Sequence, residues 1–450
     1  MTAPQRVLTR RTLAMYATGS LGTGGFGTLP GLVLVFYLTD TLGIAALAAG
    51  LLVTVAKIWD VLIDPVIGAH SDRGLMTRGS RRPLMVLGSI ALPVFFILTF
   101  AVPAGIGPVA SGLWVLIAFL VTATAFSLFQ VPYIALPAEL ASGYDQRTKL
   151  ISARVVVLTI AILLFGAGAP ALRDSFANEH TGYLVMAVVA GLVIGLGMLV
   201  SSFVAPRGLT AEVASISILD TYRAGIAALR RSQPFRALLF TFLLQGLATG
   251  LMLAGAQYVA TWVLGTGVTI LFVALIAPAV IFAPVWALVA ARVGKERAFR
   301  LASSLFAMAA LVMILQVWMP GEWVYAPVAL AGAAYAGMQS LPMSMLPDVI
   351  SHDAARHEVA SAGTFGGVWT AGETTGMALG ATVLTVVLAA SGYLESVAGQ
   401  AVVQPSSAIV GIVLSFSIVP AVIIGASLWA FSGYPLRRVD IDQLAERTLG

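Results

Sequence analysis

The sequence is dominated by long, nearly uninterrupted apolar stretches, and these decide the solvent in which the chain folds. A helix needs about 20 apolar residues to cross the hydrocarbon core of a bilayer, and by that measure about twelve stretches qualify. Only 10% of the 450 residues are charged, whereas soluble domains carry roughly 25%. We therefore predict an all-α membrane protein with spans near 12–39, 44–70, 83–103, 109–138, 150–172, 182–205, 235–262, 266–290, 298–318, 323–346, 362–390 and 405–432.

Lys and Arg are distributed unevenly among the segments that connect these stretches. If the N-terminus is cytoplasmic, the 25 basic residues all fall on the cytoplasmic side except Lys57, within the second span, and Arg173, in an outer loop. Membrane proteins concentrate basic residues in cytoplasmic loops. A missed span would invert every later loop and destroy the bias. The pattern therefore predicts both termini in the cytoplasm, and it explains the net charge of +5 without a nucleic-acid partner.

Two similar loops suggest that the chain is built from two halves. A basic segment at 68–83 follows the second span, another at 291–297 follows the eighth, and the longest internal polar stretch follows the sixth. Paired six-span halves are typical of transporters of the major facilitator type, although basic loops can also recur by chance. We predict an N-terminal six-helix bundle over 1–205, a central cytoplasmic loop over 206–234, and a C-terminal six-helix bundle with a cytoplasmic tail over 235–450.

A few ionisable residues fall within the predicted spans, where a charge costs about 2.5–3.5 kcal/mol at the bilayer centre. Lys57, Asp60 and Asp64 are spaced three and four residues apart, so they share one helix face. One lysine offsets one carboxylate and leaves the second unpaired. We predict that Asp60 and Asp64 bind a coupling cation, Na⁺ or H⁺, with Lys57 as charge partner. The alternative is a structural ion-pair cluster.

Other polar residues near the spans have several interpretations. Glu373 lies near the middle of the eleventh span. It either pairs with Lys57 from the other half or carries a proton, because burial favours the neutral form of a carboxylate. Glu139, which closes the fourth span, is expected to pair with Arg154 early in the fifth as an inside gate. The aromatic side chains beside the charged positions either stack on a substrate or pack in the core: Trp59, Tyr133 and Trp369.

The sequence argues against several other classes of function. It has no cysteine, which excludes disulfides, thiolate metal sites and a cysteine nucleophile. The four histidines lie in or near loops without a ligand spacing, and no Ser-His-Asp constellation is evident. Rings of like charge, as in channels, are not evident either. We expect no enzyme, no cofactor and no metal beyond Na⁺ at Asp60 and Asp64, with a membrane-embedded enzyme as the least favoured alternative.

Three segments resemble the glycoside–pentoside–hexuronide:cation symporter family, the melibiose permease-like branch of the major facilitator superfamily. Residues 56–68, AKIWDVLIDPVIG, resemble the family's span-2 signature. Residues 132–154 resemble its span 4–5 segment, and 347–393 carry patches of its span 10–11 segment. The resemblance implies the major facilitator fold, with twelve transmembrane helices in two six-helix bundles. It also implies that Asp60 and Asp64 bind the coupling cation.

The resemblance also assigns roles, and departures, to single positions. Lys57 stands where the family usually has Arg, and Arg154 falls on its substrate-side arginine. The family's span-11 lysine falls on Thr374, beside Glu373. Its sugar-binding acids fall on Gly24 and Gln130, and its stacking tryptophan on Ile134. These departures argue against a galactoside pocket like that of melibiose permease. Candidate substrate-binding residues are Gly24, Gln130, Tyr133, Ile134, Arg154 and Trp369, and candidate cytoplasmic gate residues are Asp72, Arg73, Glu139 and Arg147.

These observations predict a secondary active transporter that works by alternating access. We expect a cation-coupled symporter of a small organic solute such as a sugar or glycoside. The alternative is a proton-coupled exporter or transporter of a lipid-like or drug-like compound. The expected setting is the bacterial cytoplasmic (inner) membrane, with the protein a monomer in the lipid bilayer.

Overall fold

The computed structural model describes residues 9–141, 144–208, 218–357, 362–400 and 402–437. Within these residues the regular structure is helical, apart from one isolated β-bridge between Leu42 and Val397. The chain divides into two compact units. The N-terminal unit comprises Met1–Ile218 and Glu395–Val402, and the C-terminal unit comprises Leu219–Leu394 and Val403–Gly450.

The N-terminal unit contains eight α-helices among its described residues. They are α1 (Arg10–Thr18), α2 (Ser20–Phe36), α3 (Ala46–Arg78), α4 (Arg82–Phe100), α5 (Gly107–Leu140), α6 (Tyr144–Leu163), α7 (Ala169–Asp174) and α8 (Glu179–Ser202). Helix α4 packs against α5 and α8, α3 packs against α5, and α2 packs against α6.

The next eight α-helices build the C-terminal unit. They are α9 (Ile218–Arg231), α10 (Gln233–Tyr258), α11 (Val268–Val293), α12 (Lys295–Val312), α13 (Tyr325–His357), α14 (Ala362–Ala390), α15 (Ser406–Phe416) and α16 (Ile418–Phe431). Helix α10 packs along α14 and α16, and α13 packs along α11 and α12.

Eleven helical stretches of the described residues are long and apolar enough to cross a membrane. They correspond to all predicted spans but the tenth. The predicted span at 323–346 lies in α13, a helix of 33 residues that is not among the eleven. The membrane-spanning, all-helical prediction is therefore confirmed. The count of twelve spans and the cytoplasmic location of both termini stay predictions.

Corresponding spans of the two halves end in the same way. Span 1 ends in a π-helical turn, Tyr37–Thr41, and span 7 ends in another, Val259–Leu264. A glycine with a φ of 64° follows soon after each turn, Gly43 and Gly265. Glycine is favoured there because a side chain is strained at positive φ. The shared ending supports the repeat that the two basic loops suggest.

Arg173, the basic residue assigned to an outer loop, is buried at the end of α7. Its guanidinium lies 2.6 Å from the carboxylate of Asp174 and donates a hydrogen bond of 3.1 Å to the hydroxyl of Tyr183. A buried charge is tolerated when it is paired and hydrogen-bonded. Arg173 therefore connects α7 to α8 and has a structural role.

A separate segment between α14 and α15, Glu395–Val402, belongs to the N-terminal unit. The amide of Ser396 donates to the carbonyl of Thr39 at 3.0 Å, and a carboxylate oxygen of Glu395 accepts from the amide of Ala46 at 2.8 Å. The second contact satisfies an amide at the start of α3, which lacks a partner within its own helix. The segment thus fixes the end of span 1 and the beginning of α3.

Small residues allow α10 and α14 to approach closely. A Cβ atom added to Gly376 would lie 2.5 Å from the carbonyl oxygen of Leu243, and one added to Gly250 or Gly380 would also meet the backbone of the other helix. Small residues at such contacts are typical of membrane helices. The contact packs α14 closely along α10.

We expect Gly376→Ala to destabilise the protein, because the added methyl group forces α10 and α14 apart. Overpacking of this kind costs about 1–3 kcal/mol. The matched control is Gly366→Ala in the same helix, where an added Cβ would meet nothing within 4 Å. Thermal unfolding in detergent should show a lower melting temperature for Gly376→Ala and an unchanged or higher one for Gly366→Ala. Equal melting temperatures for the two variants would contradict the close contact.

Candidate functional site

Helix α3 carries the acidic face that the sequence predicts. The ammonium of Lys57 lies 3.3 Å from the Oδ2 atom of Asp60. Asp64, one turn further along, has Ser127 of α5 as a polar neighbour. Asp60 is buried, with 9% of its surface exposed, whereas the Lys57 side chain is 30% exposed. The structure therefore brings these three charges together on one helix face against α5.

The two carboxylates of this face are incompletely satisfied. The Oδ1 atoms of Asp60 and Asp64 are both buried and have no hydrogen-bond partner. A carboxylate has about four acceptor positions, and leaving a buried one unsatisfied costs about 1–3 kcal/mol. A structural ion-pair cluster would be expected to satisfy both oxygens. The orphaned atoms instead fit a site that is completed by a cation or a proton.

The aromatic side chains of the N-terminal unit differ in exposure. Trp59 is 39% exposed, and its indole nitrogen donates a hydrogen bond of 2.8 Å to the hydroxyl of Thr124. Tyr133 is fully buried, and its hydroxyl donates to the carbonyl of Tyr16 at 3.0 Å. Trp59 thus presents a fixed and partly free ring. Tyr133 packs in the core.

Arg154 lies close to Tyr133. Its guanidinium carbon is 5.2 Å from the centre of the Tyr133 ring, within the range of a cation–π contact. Its Nε atom is buried and has no hydrogen-bond partner. Gln130 accepts a hydrogen bond of 2.8 Å from the hydroxyl of Thr23. Arg154 therefore keeps a donor available for a bound molecule, while Gln130 is oriented by α2.

Two positions that the resemblance assigns to substrate binding have no sugar-binding side chain. Gly24 is buried, and an added Cβ would lie 2.6 Å from the Cβ of Ala161, so this glycine provides the close packing of α2 on α6. Ile134 is 51% exposed and presents an aliphatic surface. The polar candidates that remain in this unit are Gln130 and Arg154.

The cytoplasmic gate prediction needs one correction. Glu139 pairs with Arg81 and not with Arg154, as the sequence suggested. Arg81 also lies 2.6 Å from Asp72 and donates to the hydroxyl of Ser71 at 2.7 Å. Burial lowers the pKa of Arg81, but hydrogen bonds to Glu139 and Asp72 outweigh that effect and raise it. The guanidinium therefore stays charged between the two acids.

Two further gate residues were predicted, Arg73 and Arg147. Arg73 is exposed, and the side chain of Arg147 lies outside the described residues. Arg81 was missed as a gate residue, although the run Ser80-Arg81-Arg82-Pro83 marked its loop. The C-terminal unit has a counterpart in the equivalent loop, where the ammonium of Lys295 lies 2.5 Å from Asp348 of α13.

A cavity of about 610 Å³ adjoins this counterpart pair in the C-terminal unit. Its lining combines an alanine-rich face of α11 with polar residues of α12 and α13 and with Tyr434. None of the predicted substrate-binding residues lines it. The cavity is therefore separate from the candidate site.

Glu373 of α14 has polar neighbours on α13. Gln339 lies near its carboxylate, and the amide nitrogen of Gln339 donates to the hydroxyl of Tyr335 at 2.9 Å. Thr374, the next residue along α14, is half-buried. Gln339 and Tyr335 were missed in the sequence, although polar residues four apart in an apolar helix are a usable signal.

Trp369 lies one turn before Glu373 and is 2% exposed. Its ring stacks on Phe242 of α10, with centroids 4.3 Å apart and planes inclined by 19°. The indole nitrogen is buried without a hydrogen-bond partner. One face of the ring is therefore used in core packing, while the N–H group remains to be satisfied.

Comparisons with known proteins agree with this architecture. The family model described as MFS/sugar transport protein matches residues 15–438. The uncharacterized symporter YjmB of Bacillus subtilis is 28% identical over 41% of this chain, a match that spans only 39% of that protein's length. The glucuronide carrier protein homolog of Escherichia coli is 24% identical over 94% of this chain and 91% of its own length.

A solved structure shows the same fold. The D-xylose–proton symporter superposes with a TM-score of 0.66 at 13% sequence identity, over 94% of this chain and 98% of that one. Because the family model extends over nearly the whole sequence, the chain belongs to the MFS/sugar transport protein family, and its helical fold is that of the major facilitator superfamily.

Proposed function

We propose that this protein is a cation-coupled symporter of a sugar or glycoside that works by alternating access. The observation that carries the proposal is the α3 face, where Asp60 and Asp64 each hold a buried oxygen without a partner and a single lysine lies within reach. In a family of transporters, the chemistry of this face suits a coupling ion better than a structural cluster.

Coupling follows from the charge balance of α3. With Lys57 paired to Asp60, a cation or proton at Asp60 and Asp64 neutralises the remaining charge of the face. The neutral face costs less to bury, so the ion favours the state in which substrate is enclosed. Linkage requires that substrate tighten ion binding by the same factor as the ion tightens substrate binding.

A saccharide is the substrate class that the relatives support. One relative is named a glucuronide carrier homolog and one solved structure a D-xylose–proton symporter. In the N-terminal unit, the polar groups that we propose contact such a substrate are Arg154 and Gln130, and the partly exposed ring of Trp59 is a further candidate. Gly24 and Ile134 argue against a galactoside pocket like that of melibiose permease.

The proposal extends to the setting of the protein. We place it as a monomer of twelve spans in the bacterial inner membrane, with both termini cytoplasmic. It needs no resident cofactor and performs no covalent chemistry, since transport requires only binding and conformational change. The coupling ion is cargo that moves with the substrate.

We expect Na⁺ or Li⁺ to raise the melting temperature of the purified protein, and Asp60→Asn and Asp64→Asn to abolish the effect. A ligand that binds only the folded state stabilises it by about 2.7 kcal/mol at a hundred times its dissociation constant. Differential scanning fluorimetry in detergent measures the shift. The matched control is Glu322→Gln, an exposed carboxylate in an outer loop, which should retain the response.

A different result of this experiment would change the identity of the coupling ion. Suppose neither ion changes the melting temperature, while a pH-dependent shift disappears in Glu373→Gln. The coupling ion would then be a proton carried by Glu373, and the α3 face would be a structural cluster. No response to sodium, lithium or pH would remove the basis for calling the protein a symporter.

We expect Arg81→Leu to lower both stability and transport, because it leaves the buried Glu139 without its partner. Removing one member of a buried pair costs about 3–5 kcal/mol, and the exposure of Asp72 reduces that figure. The neighbouring Arg82→Leu is the control, since Arg82 lies over the ring of Phe203 at 4.0 Å. Melting temperature and counterflow in proteoliposomes should fall for Arg81→Leu alone. Equal losses in the two variants would show that Arg81 has no special role.

A further inference from the structure

Helix α9 is amphipathic and too short to cross a membrane, and the symport scheme does not use it. Its 14 residues extend about 21 Å at 1.5 Å per residue, whereas the hydrocarbon core of a bilayer is about 30 Å thick. The helix ends at Arg231, and the span that contains α10 begins at Gln233, so Ser232 alone lies between them. One end of α9 therefore lies at the boundary of the bilayer in which α10 is embedded.

Contacts at this end fix which side of α9 faces the protein. The guanidinium of Arg231 lies 2.6 Å from the carboxylate of Asp353 of α13, whose side chain is 2% exposed. Ala228, almost one turn earlier, is buried. Arg236 of α10 donates a hydrogen bond of 3.2 Å to the carbonyl of Leu229, one of the last carbonyls of α9, which lack a partner within the helix. The last turn of α9 is therefore held against α10 and α13.

The opposite side of α9 carries an apolar residue between two arginines. Arg223, Ile226 and Arg230 are spaced three and four residues apart, so they share one helix face. All three are exposed, and Ile226 is exposed over 52% of its surface. Ile226 precedes the buried Ala228 by two residues, which places it about 200° around the helix. The arginines and the isoleucine therefore lie on the side of α9 that faces away from its packing contacts.

The chemistry of this face fits the surface of a membrane that contains anionic lipid. The sequence of α9 contains three arginines and one acidic residue, so its charge is complementary to lipid phosphates. Interfacial helices bury an apolar face at the boundary between headgroups and acyl chains, while nearby basic residues are attracted to anionic headgroups. Because α9 lies next to a span, the leaflet is within its reach without any further component. A protein partner would have to be supplied separately.

We propose that the face of α9 formed by Arg223, Ile226 and Arg230 docks on the membrane surface and binds the headgroups of anionic phospholipids. Ile226 enters the boundary between headgroups and acyl chains, and the two guanidinium groups donate hydrogen bonds to lipid phosphates. In the proposed topology this is the cytoplasmic leaflet. Arg231 has a different role, since it pairs with Asp353. The inference does not depend on the proposed symport function.

The first experiment locates this face relative to the membrane. The chain contains no cysteine, so Ile226→Cys and Ala227→Cys each provide a single site for a thiol-reactive fluorophore in the full-length protein. Ala227 is also exposed, but it lies about 100° further around the helix. The labelled proteins are reconstituted into vesicles of phosphatidylcholine and phosphatidylglycerol in equal amounts. Quenching by acrylamide, a neutral solute in the aqueous phase, should be several-fold weaker at position 226 than at position 227.

The second experiment tests the choice of lipid with the label at position 226. A small fraction of the lipid is replaced by brominated phosphatidylglycerol or brominated phosphatidylcholine, whose acyl chains quench a nearby fluorophore. Brominated phosphatidylglycerol should quench more strongly. Arg223→Gln combined with Arg230→Gln should lower this preference by about fivefold or more, the contribution of one basic residue near an anionic surface. Arg292→Gln combined with Arg297→Gln, two exposed arginines near the junction of α11 and α12, is the matched control and should retain the preference.

Three results would overturn the proposal. Equal acrylamide quenching at positions 226 and 227 would show that the face lies in water. Weak acrylamide quenching without quenching by either brominated lipid would show that protein, such as a second copy of this chain, covers the face. Equal quenching by the two brominated lipids would show that the arginines do not select anionic headgroups. Melting temperatures report any folding defect of the double variant, and Arg230→Gln alone then provides the comparison.

Discussion

Lipid cannot hydrogen-bond to the backbone or solvate a charge, and the rest of this structure depends on that constraint. In hydrocarbon each peptide group must find its partner within its own segment, so the apolar stretches fold as helices. The same medium makes every ionisable side chain costly. The spans accordingly contain very few ionisable side chains. Those that remain are held by a defined neighbour, as Lys57 holds Asp60 at 3.3 Å. Where a carboxylate oxygen in such a setting has no neighbour, the missing partner has to come from outside the protein.

This reasoning separates two kinds of charge in the molecule. At the helix ends the pairs are tight: Arg81 lies between Asp72 and Glu139, and Lys295 lies against Asp348. These pairs lie at equivalent loops of the two halves. We interpret them as structural ion pairs that recur with the repeat. Within the spans the balance is different. Asp60 and Asp64 share one lysine, and each keeps a buried oxygen without a partner. An arrangement that served only stability would satisfy these oxygens or replace them with apolar groups.

Hydropathy and spacing predicted the features that depend on local sequence. The span predicted at 83–103 is the helix Arg82–Phe100, and the one predicted at 266–290 is Val268–Val293. The shared face of Lys57 and Asp60 follows from helical geometry alone. The partner of Glu139 could not be predicted in this way. Arg81 is 58 residues away in sequence, and only the packing of α3, α4 and α5 brings the two together. The same holds for Gln339 beside Glu373 and for the stacking of Trp369 on Phe242, which join residues of different helices.

The two halves share a framework and differ in the chemistry that they carry. Spans 1 and 7 both end in a π-helical turn followed by a glycine with a φ of 64°, which supports the repeat that the basic loops suggest. On that framework the N-terminal half places two carboxylates and a lysine, whereas the C-terminal half places one carboxylate with an amide and a phenol. Two carboxylates near one lysine leave a net negative charge, which a cation can neutralise. In the proposed symport scheme, the acidic face that would bind the ion therefore lies within the N-terminal half. In that scheme, linkage between ion and solute comes from the conformational equilibrium that both ligands bias.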